Sequence, residues 1–408
     1  MVATSRRMAR FWIVFALGVV ASCDDIADPA PAQPTHQLES AAVGSTPIIH
    51  VTTTQQLYDA VNDPSHSPAA IQLAAGTYVL SDVDGAGATR PNGGRLDLQK
   101  DMSLHGVAGN RSKVVIDASG LPASSLVVSF GRTGPVRVGR GFNSIQSLTI
   151  VGNSAAVAGI ETDLDGTAST QIRVESVVSI GSIRGIDVRN VGSAMAGRRI
   201  DITLIGNDLV ASQNVQPNQG IRLVNMNGAD GGVIVATLRD NRVHGSQFGC
   251  LVNNLVSSNA VIQVQSAGDR FFDNAIGCFV GGGIVTGTTG RANSNSTTFE
   301  AHGSAFTDNT HASPLDRGGI LLVGGESANL ANGTSGNTVT VRLWGTKVER
   351  NQDQDLTVFG ARSLTSGVAG TNNHARLELH GTSKTIDVSL TASLPVDASG
   401  SNTVTVLR

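Results

Sequence analysis

The sequence predicts an all-β solenoid, in which short strands wind repeatedly around one elongated core. A short phrase of glycine, an apolar residue, any residue and a second apolar residue recurs at intervals of 26 to 42 residues. The segments between its copies alternate apolar and polar residues as strands do, and none has the spacing of a helix. Self-similarity at this period is typical of solenoids, whose coils pack only on their neighbours. The copies begin at Gly159, Gly185, Gly220, Gly249, Gly277 and Gly319, with a degenerate copy from Asp355 to Val358.

The first 22 residues are predicted to be a processing signal. Arg6, Arg7 and Arg10 form a positive region, an apolar stretch follows, and the segment ends in Val-Ala-Ser before Cys23. That ending resembles the lipobox of bacterial lipoproteins, which implies cleavage before Cys23 and acylation of its sulfur; an ordinary signal peptide is the alternative. No second apolar stretch approaches the roughly 18 residues of a membrane span. We therefore expect a lipoprotein of a bacterial cell envelope, held outside the cytoplasm by the lipid on Cys23.

The rest of the chain is predicted to be a tether and one long domain. Residues 23–47 carry four prolines and no apolar periodicity, as expected of a flexible linker. Residues 48–408 would form the solenoid, which lengthens its core without thickening it. The net charge is −3 with the charges scattered, so no basic face favours nucleic acid as a partner.

The solenoid begins with a predicted cap. Ile48–Val51 has the composition of a strand, and Thr53 with Gln56 three residues later makes a capping box for a short helix. Leu57, Ala60 and Val61 give this helix one apolar face. A single amphipathic helix before a repeat array would cover the core of the first coil.

The coils are predicted to start at Leu96, and about nine to eleven of them fit the chain. A second marker accompanies the glycine phrase. Stretches that alternate apolar and polar residues repeatedly end in a glycine or polar residue followed by Asn. Asn tolerates left-handed backbone angles, and stacked Asn side chains hydrogen-bond along a ladder. The marker falls at Asn153, Asn207, Asn241, Asn274, Asn309 and Asn351.

This order of parts resembles the pectin-lyase-like superfamily of right-handed, single-stranded parallel β-helices. The resemblance is strongest in the capping helix at Gln55–Val61, the strand-turn-strand at Ile71–Tyr78, and the Ser-Leu-His-Gly core within Leu96–Asp117. It implies the fold. The reaction stays open, because the superfamily includes polysaccharide lyases, glycoside hydrolases, esterases, adhesins and members without known chemistry.

Two cysteines occupy the same position in consecutive repeats. If the coils stack in register, the Cα atoms of Cys250 and Cys278 lie about 4.8 Å apart, a separation that a disulfide can span. An oxidising compartment would permit the bond. The alternative is a pair of buried thiols that act as small apolar residues.

A compact charged patch is predicted on one exposed sheet face. In the repeated phrase the second and fourth residues point inward, so Glu161, Asp163, Asp187, Arg189 and Arg222 point outward within about 5 to 7 Å of one another. In later copies of the phrase the same outward position is occupied by apolar residues, Leu251 and Phe279.

The pectate lyases that the fold resembles use calcium on aspartates and a basic residue that removes a proton. The resemblance thus implies Asp163 and Asp187 as Ca²⁺ ligands, Glu161 beside them, and Arg189 or Arg222 as the catalytic base. The alternative is that Asp187 pairs with Arg222, and Glu161 with Arg189, across exposed coils, where such pairs contribute little.

Two function classes therefore remain. One is a non-enzymatic, lipid-anchored surface or envelope protein that binds polysaccharide, with Trp344 as a sugar-stacking platform. The other is a polysaccharide lyase that acts on uronate glycans at the charged patch. A glycoside hydrolase at the same patch is a less favoured variant of this class. The strand Thr403–Leu407 would leave an open edge through which oligomers could form.

Overall fold

The chain folds as a right-handed parallel β-helix, and the superfamily resemblance is thus confirmed at the level of the fold. The computed structural model describes residues 46–122, 134–153, 158–162, 166–211, 218–285, 290–310, 318–327, 334–352, 354–363, 370–382, 386–394 and 401–408. The predicted signal, Cys23, the predicted tether up to residue 45, and Asp163 lie outside these residues. Among the residues described, no helix combines the length and apolar character that crossing a membrane requires.

Three parallel sheets run along the axis of the helix. The twelve-stranded sheet contains β1 (Ile48–Val51), β2 (Ala69–Leu73), β5 (Met102–His105), β8 (Gly141–Gln146), β11 (Thr170–Glu175), β14 (Arg199–Ile205), β17 (Val233–Arg239), β20 (Val261–Ala267), β23 (Ser296–His302), β26 (Thr338–Trp344), β29 (His374–His380) and β31 (Thr403–Leu407). The nine-stranded sheet contains β3 (Gly76–Ser81), β6 (Val114–Gly120), β9 (Thr149–Val151), β12 (Val178–Ile180), β15 (Asp208–Val210), β18 (Arg242–His244), β21 (Arg270–Phe272), β24 (Ala305–Thr307) and β27 (Lys347–Glu349). The ten-stranded sheet contains β4 (Leu96–Leu98), β7 (Val136–Val138), β10 (Ala158–Thr162), β13 (Arg184–Val191), β16 (Gln219–Met226), β19 (Phe248–Leu255), β22 (Ile276–Val285), β25 (Ile320–Ser327), β28 (Leu356–Ser363) and β30 (Val388–Leu394).

Each coil contributes strands to the sheets in a fixed order. The chain passes from the twelve-stranded to the nine-stranded and then to the ten-stranded sheet, as in β14, β15 and β16. One strand of the ten-stranded sheet per coil gives ten coils in the described part of the chain, within the predicted range.

The predicted capping helix is present. Helix α1 spans Thr54–Asn62, and the Thr53 hydroxyl accepts a hydrogen bond from the Gln56 backbone N–H at 3.2 Å. Leu57, Tyr58, Ala60 and Val61 are buried. This helix therefore covers the first coil with the apolar face that the sequence predicts.

Two-residue corners join the twelve-stranded sheet to the nine-stranded sheet. The first residue takes a left-handed backbone conformation, at φ 60° in Gly206 and 55° in Asp240. The next residue turns inward, and Asn207 Nδ2 donates to Asn241 Oδ1 at 2.9 Å. A second ladder, between the nine-stranded and ten-stranded sheets, joins Asn309 to Asn351 at 2.8 Å. The Asn marker thus identifies two stacked corners, in which buried amides satisfy one another.

The repeated glycines form one column, because neighbouring coils approach too closely there for a side chain. A Cβ atom on Gly185 would lie 2.6 Å from the carbonyl oxygen of Gly220, and one on Gly220 would lie 2.8 Å from that of Gly249. Real Cβ atoms essentially never make such contacts. The glycine phrase is therefore a packing requirement of the stacked coils.

The inward residues form one continuous apolar core that includes both cysteines. Cys250 and Cys278 are register partners, fully buried, and free thiols. The possible disulfide is therefore absent. Burial and the neighbouring Cys250 raise the pKa of the Cys278 thiol well above its usual range. Both residues act as small core side chains.

Candidate functional site

The predicted charged residues lie on the outward face of the ten-stranded sheet. Glu161 on β10, Asp187 on β13 and Arg222 on β16 are register partners, and the same column starts with Asp97 on β4 and Arg137 on β7. The prediction that these positions of the glycine phrase point outward is therefore correct. Sequence analysis missed Asp97 and Arg137, although a count back through the coils places both in this column.

The predicted exposure of this patch is wrong. Glu161 is 1% exposed, Asp187 and Arg189 are 0% exposed, and Arg222 is 7% exposed. The period-two alternation along a strand determines which face of the sheet a side chain occupies. It carries no information on what packs over that face, so it does not predict exposure. One covering contact is visible at Gly134, which approaches Glu161 so closely that a Cβ atom there would lie 2.8 Å from the Glu161 Cγ.

An ion pair with Arg189 and a backbone hydrogen bond from Gly134 are among the contacts that hold Glu161. Arg189 Nη2 lies 2.8 Å from Glu161 Oε2, and the Gly134 N–H donates to Oε1 at 2.8 Å. Burial raises the pKa of Glu161 above its usual range, although Arg189 and the Gly134 N–H favour the charged form. The sequence-based pairing of Glu161 with Arg189 is thus correct.

Asp187 lies among three guanidinium groups. Its Oδ2 is 3.0 Å from Arg184 Nη1, 3.5 Å from Arg222 Nη1 and 3.6 Å from Arg189 Nε. Burial alone would raise the pKa of Asp187, but Arg222, Arg189 and Arg184 outweigh it and lower the pKa to about 2. Arg184 precedes the repeated Gly185 and lies outside the glycine phrase, so the phrase gives no signal for it. We call Glu161, Arg184, Asp187, Arg189 and Arg222 the ion-pair cluster.

This arrangement disfavours the predicted calcium site. Asp163 lies outside the described residues, and those described include no group of three or more His, Cys, Asp or Glu side chains placed to hold a metal ion. The three guanidinium groups around Asp187 already neutralise its carboxylate and would repel Ca²⁺. Asp187 is therefore an ion-pair partner of arginines and is not available as a calcium ligand.

The two arginines predicted as catalytic bases are both engaged. Arg189 contacts Glu161 and Asp187, and Arg222 also contacts the Met226 sulfur, 3.3 Å from Nη2. Burial lowers the pKa of Arg222 to about 9, against the opposing effect of Asp187. At neutral pH Arg222 therefore stays largely protonated, which is the wrong state for a base.

Beyond the ion-pair cluster the same face becomes apolar, as the sequence indicates. Phe279, Leu321 and Phe359 are buried in one outward cluster, against which Phe248 and Leu251 pack. A further ion pair joins Arg362 to Glu326 at 2.6 Å, with the guanidinium 5.5 Å from the centre of the Phe359 ring. Sequence analysis missed this pair because both residues lie past the end of the glycine phrase.

Trp344 lies far along the chain, on the outward face of the twelve-stranded sheet. His302 stacks on one face of its indole with ring centres 4.4 Å apart, and His380 stacks on the other at 5.2 Å. Since the three residues are register partners on β23, β26 and β29, both indole faces are covered. The prediction of Trp344 as an open platform for a sugar ring is therefore wrong.

Comparison with known proteins gives similarity of fold alone. No protein-family model and no curated protein matches the sequence. Solved structures with a similar backbone include the A-module of the mannuronan C-5 epimerase AlgE6 from Azotobacter vinelandii, at 14% identity and TM-score 0.42, covering 86% of this chain and 93% of that one. Another is the endo-xylogalacturonan hydrolase from Aspergillus tubingensis, at 10% identity and TM-score 0.37, covering 88% and 95%.

Proposed function

We propose that this chain is a non-enzymatic, extracytoplasmic β-helix protein that binds polysaccharide. The observation that carries the proposal is the state of the ion-pair cluster. Its carboxylates and its arginines are buried and are engaged with one another in ion pairs. A general acid or base must reach the proton that it transfers. The cluster therefore fits a structural role better than a catalytic one.

The polysaccharide part of the proposal rests on the superfamily resemblance and on the shape of the sheets. Outward side chains of the twelve-stranded sheet recur at about 4.8 Å along the axis, over many coils. Such a periodic, extended surface suits a linear polymer, because successive units can make similar contacts. Solenoids commonly use extended surfaces of this kind for binding.

Anchoring by a lipid on Cys23 completes the proposal. The support is the Val-Ala-Ser-Cys ending of the apolar N-terminal segment. Metabolic labelling with radioactive palmitate tests it. The natural chain should incorporate label, and a Cys23→Ser variant should not; equal labelling of both would contradict the anchor.

A polysaccharide lyase or glycoside hydrolase is the second candidate, and one observation favours it. Glu161 and Asp187 are register partners, with the pKa of Glu161 raised and that of Asp187 lowered. Carboxyl pairs whose pKa values diverge in this way supply the acid and the base of many enzymes. This function requires the ion-pair cluster to open to the substrate.

A panel of uronate and neutral polysaccharides distinguishes the two candidates. The full chain is incubated with each polymer, with and without calcium, while absorbance of unsaturated product and release of reducing ends are recorded. We expect no product with any polymer, and co-sedimentation of the protein with at least one insoluble polysaccharide. Formation of product would favour the enzyme, and failure to bind any polymer would contradict polysaccharide binding.

A further inference from the structure

A pocket of about 400 Å³ lies at the N-terminal end of the twelve-stranded sheet. Its floor is formed by Gln72 on β2, His105 on β5 and Gln146 on β8, which are register partners in consecutive coils. Three successive strands place these side chains across about 10 Å, which is enough to span one sugar ring. This pocket is on a different sheet from the ion-pair cluster.

One wall of the pocket is a loop fixed to the neighbouring coil. The Gly106 N–H donates to the Gln146 carbonyl at 2.8 Å, and the Asn110 N–H donates to the Val107 carbonyl at 3.0 Å, which turns the loop back. A Cβ atom on Gly106 would lie 2.0 Å from the Ser147 carbonyl oxygen, so only glycine allows this approach. The wall is therefore set by backbone contacts.

The lining combines neutral polar groups with an apolar wall. Gln72 is exposed, while His105 and Gln146 are half-buried, so their polar atoms can be reached by a ligand. Ile48, at 62% exposure, is the most exposed large apolar side chain among the described residues, and it lines the same pocket with Val107. An amphipathic ring would use both surfaces.

The charge of the lining selects among ligands. The described residues that line the pocket include no Asp, Glu, Lys or Arg. Burial lowers the pKa of His105, against a hydrogen bond with Gln146, so its imidazole is neutral at physiological pH. A carboxylate in this pocket would lose water without gaining a cation, which is costly. The pocket therefore suits an uncharged ligand better than a uronate.

We infer that this pocket binds one neutral hexose unit of a polysaccharide. The Gln72 carboxamide offers both a donor and an acceptor, and His105 and Gln146, which bond each other, each keep a further hydrogen-bonding atom for the sugar hydroxyl groups. The Ile48 and Val107 side chains contact the apolar face of the ring. The inference rests on the proposed polysaccharide binding and adds the site and the class of sugar.

Calorimetric titration of the full chain in detergent tests the inference. The probes are a neutral hexasaccharide of glucose and a hexasaccharide of galacturonate. The variants are Gln146→Leu, which keeps the size of the side chain and removes its hydrogen bonds, and the matched control Gln265→Leu, an exposed outward residue of β20. We expect the neutral probe to bind the natural chain and the control equally, and Gln146→Leu to bind it about tenfold more weakly.

Two results would overturn the assignment and leave the proposed polysaccharide binding in place. One is equal affinity of the neutral probe for the natural chain and Gln146→Leu, which would leave polysaccharide binding in place but move it elsewhere. The other is binding of the galacturonate probe alone, which would contradict the neutral sugar. Absence of binding by every polysaccharide would instead contradict both the inference and the proposed function. Circular dichroism of each variant verifies that the fold is intact.

Discussion

At the scale of single residues, Asp269 is a carboxylate in the asparagine ladder between the twelve-stranded and nine-stranded sheets. It accepts hydrogen bonds at Oδ1 from the Asn241 backbone and side chain, both 2.8 Å, and at Oδ2 from the Ser266 hydroxyl at 2.6 Å. Burial raises its pKa to about 6, although these hydrogen bonds oppose the shift. Asp269 therefore carries a charge at neutral pH in a place where the ladder uses neutral amides.

Replacing Asp269 with Asn should stabilise the protein in a pH-dependent way. Because the pKa is raised in the folded state, the natural chain loses stability as pH rises from about 4 to about 6, and the loss persists above that. A shift of this size corresponds to at most about 3 kcal/mol. The new Nδ2 can donate to Ser266 Oγ, whose hydroxyl then donates to Ser304 Oγ at 2.9 Å.

Chemical denaturation of both proteins between pH 4 and pH 8 measures this effect. We expect Asp269→Asn to exceed the natural chain in free energy of unfolding at pH 7 and to match it at pH 4. The control is Asp273→Asn, an exposed carboxylate with the left-handed φ that Asn tolerates, which should change little. A gain that is the same at every pH would show that charge is not the cause.

At the scale of elements, the glycine column and the asparagine corners define one coil. The column allows two coils to stack at backbone contact, and each corner turns the chain from one sheet to the next with one left-handed residue before an inward amide. Both features follow from backbone geometry, which is why their sequence pattern survives when the rest of a coil varies.

Replacing Gly185 with Ala tests the packing role of the column. The added Cβ atom would meet the Gly220 carbonyl oxygen at 2.6 Å and Leu209 Cβ at 3.3 Å, so the two coils must separate. Overpacking of this kind costs about 1 to 3 kcal/mol. Thermal and chemical denaturation should show this loss.

Gly85→Ala is the matched control, because a Cβ atom on Gly85 meets no atom within 4 Å. The control should stay within about 0.5 kcal/mol of the natural chain. Equal stability of both variants would mean that the coils have room for a side chain in the column, and that the phrase has another origin.

At the scale of the whole molecule, the sequence predicts the architecture far better than the site. Period-two alternation and the capping box depend on local geometry, and the glycine phrase repeats wherever two coils stack, so the fold, the cap and the inward or outward direction of Glu161 and Asp187 are correct. Exposure depends on segments distant in sequence, so the burial of that face is missed. The same limit applies to Trp344, whose two histidine neighbours come from coils 36 and 42 residues away.

The central claim is that the outward charges of the ten-stranded sheet form a buried structural network. Removing one partner of a buried ion pair leaves uncompensated charge and costs about 3 to 5 kcal/mol. An exposed pair of similar geometry contributes about 1 kcal/mol or less. Stability therefore distinguishes a sealed network from a solvated patch or an open catalytic site.

The most direct measurement compares the free energy of unfolding of Asp187→Asn with that of Asp201→Asn at pH 7. Asp201 pairs with Arg199 at 2.6 Å on the outward face of β14, where both side chains are partly exposed. We expect Asp187→Asn to lose about 3 to 5 kcal/mol, because Arg184, Arg189 and Arg222 lose their shared carboxylate, and Asp201→Asn to lose about 1 kcal/mol or less. Equal, small losses in the two variants would contradict the buried network and would return the ion-pair cluster to consideration as an active site.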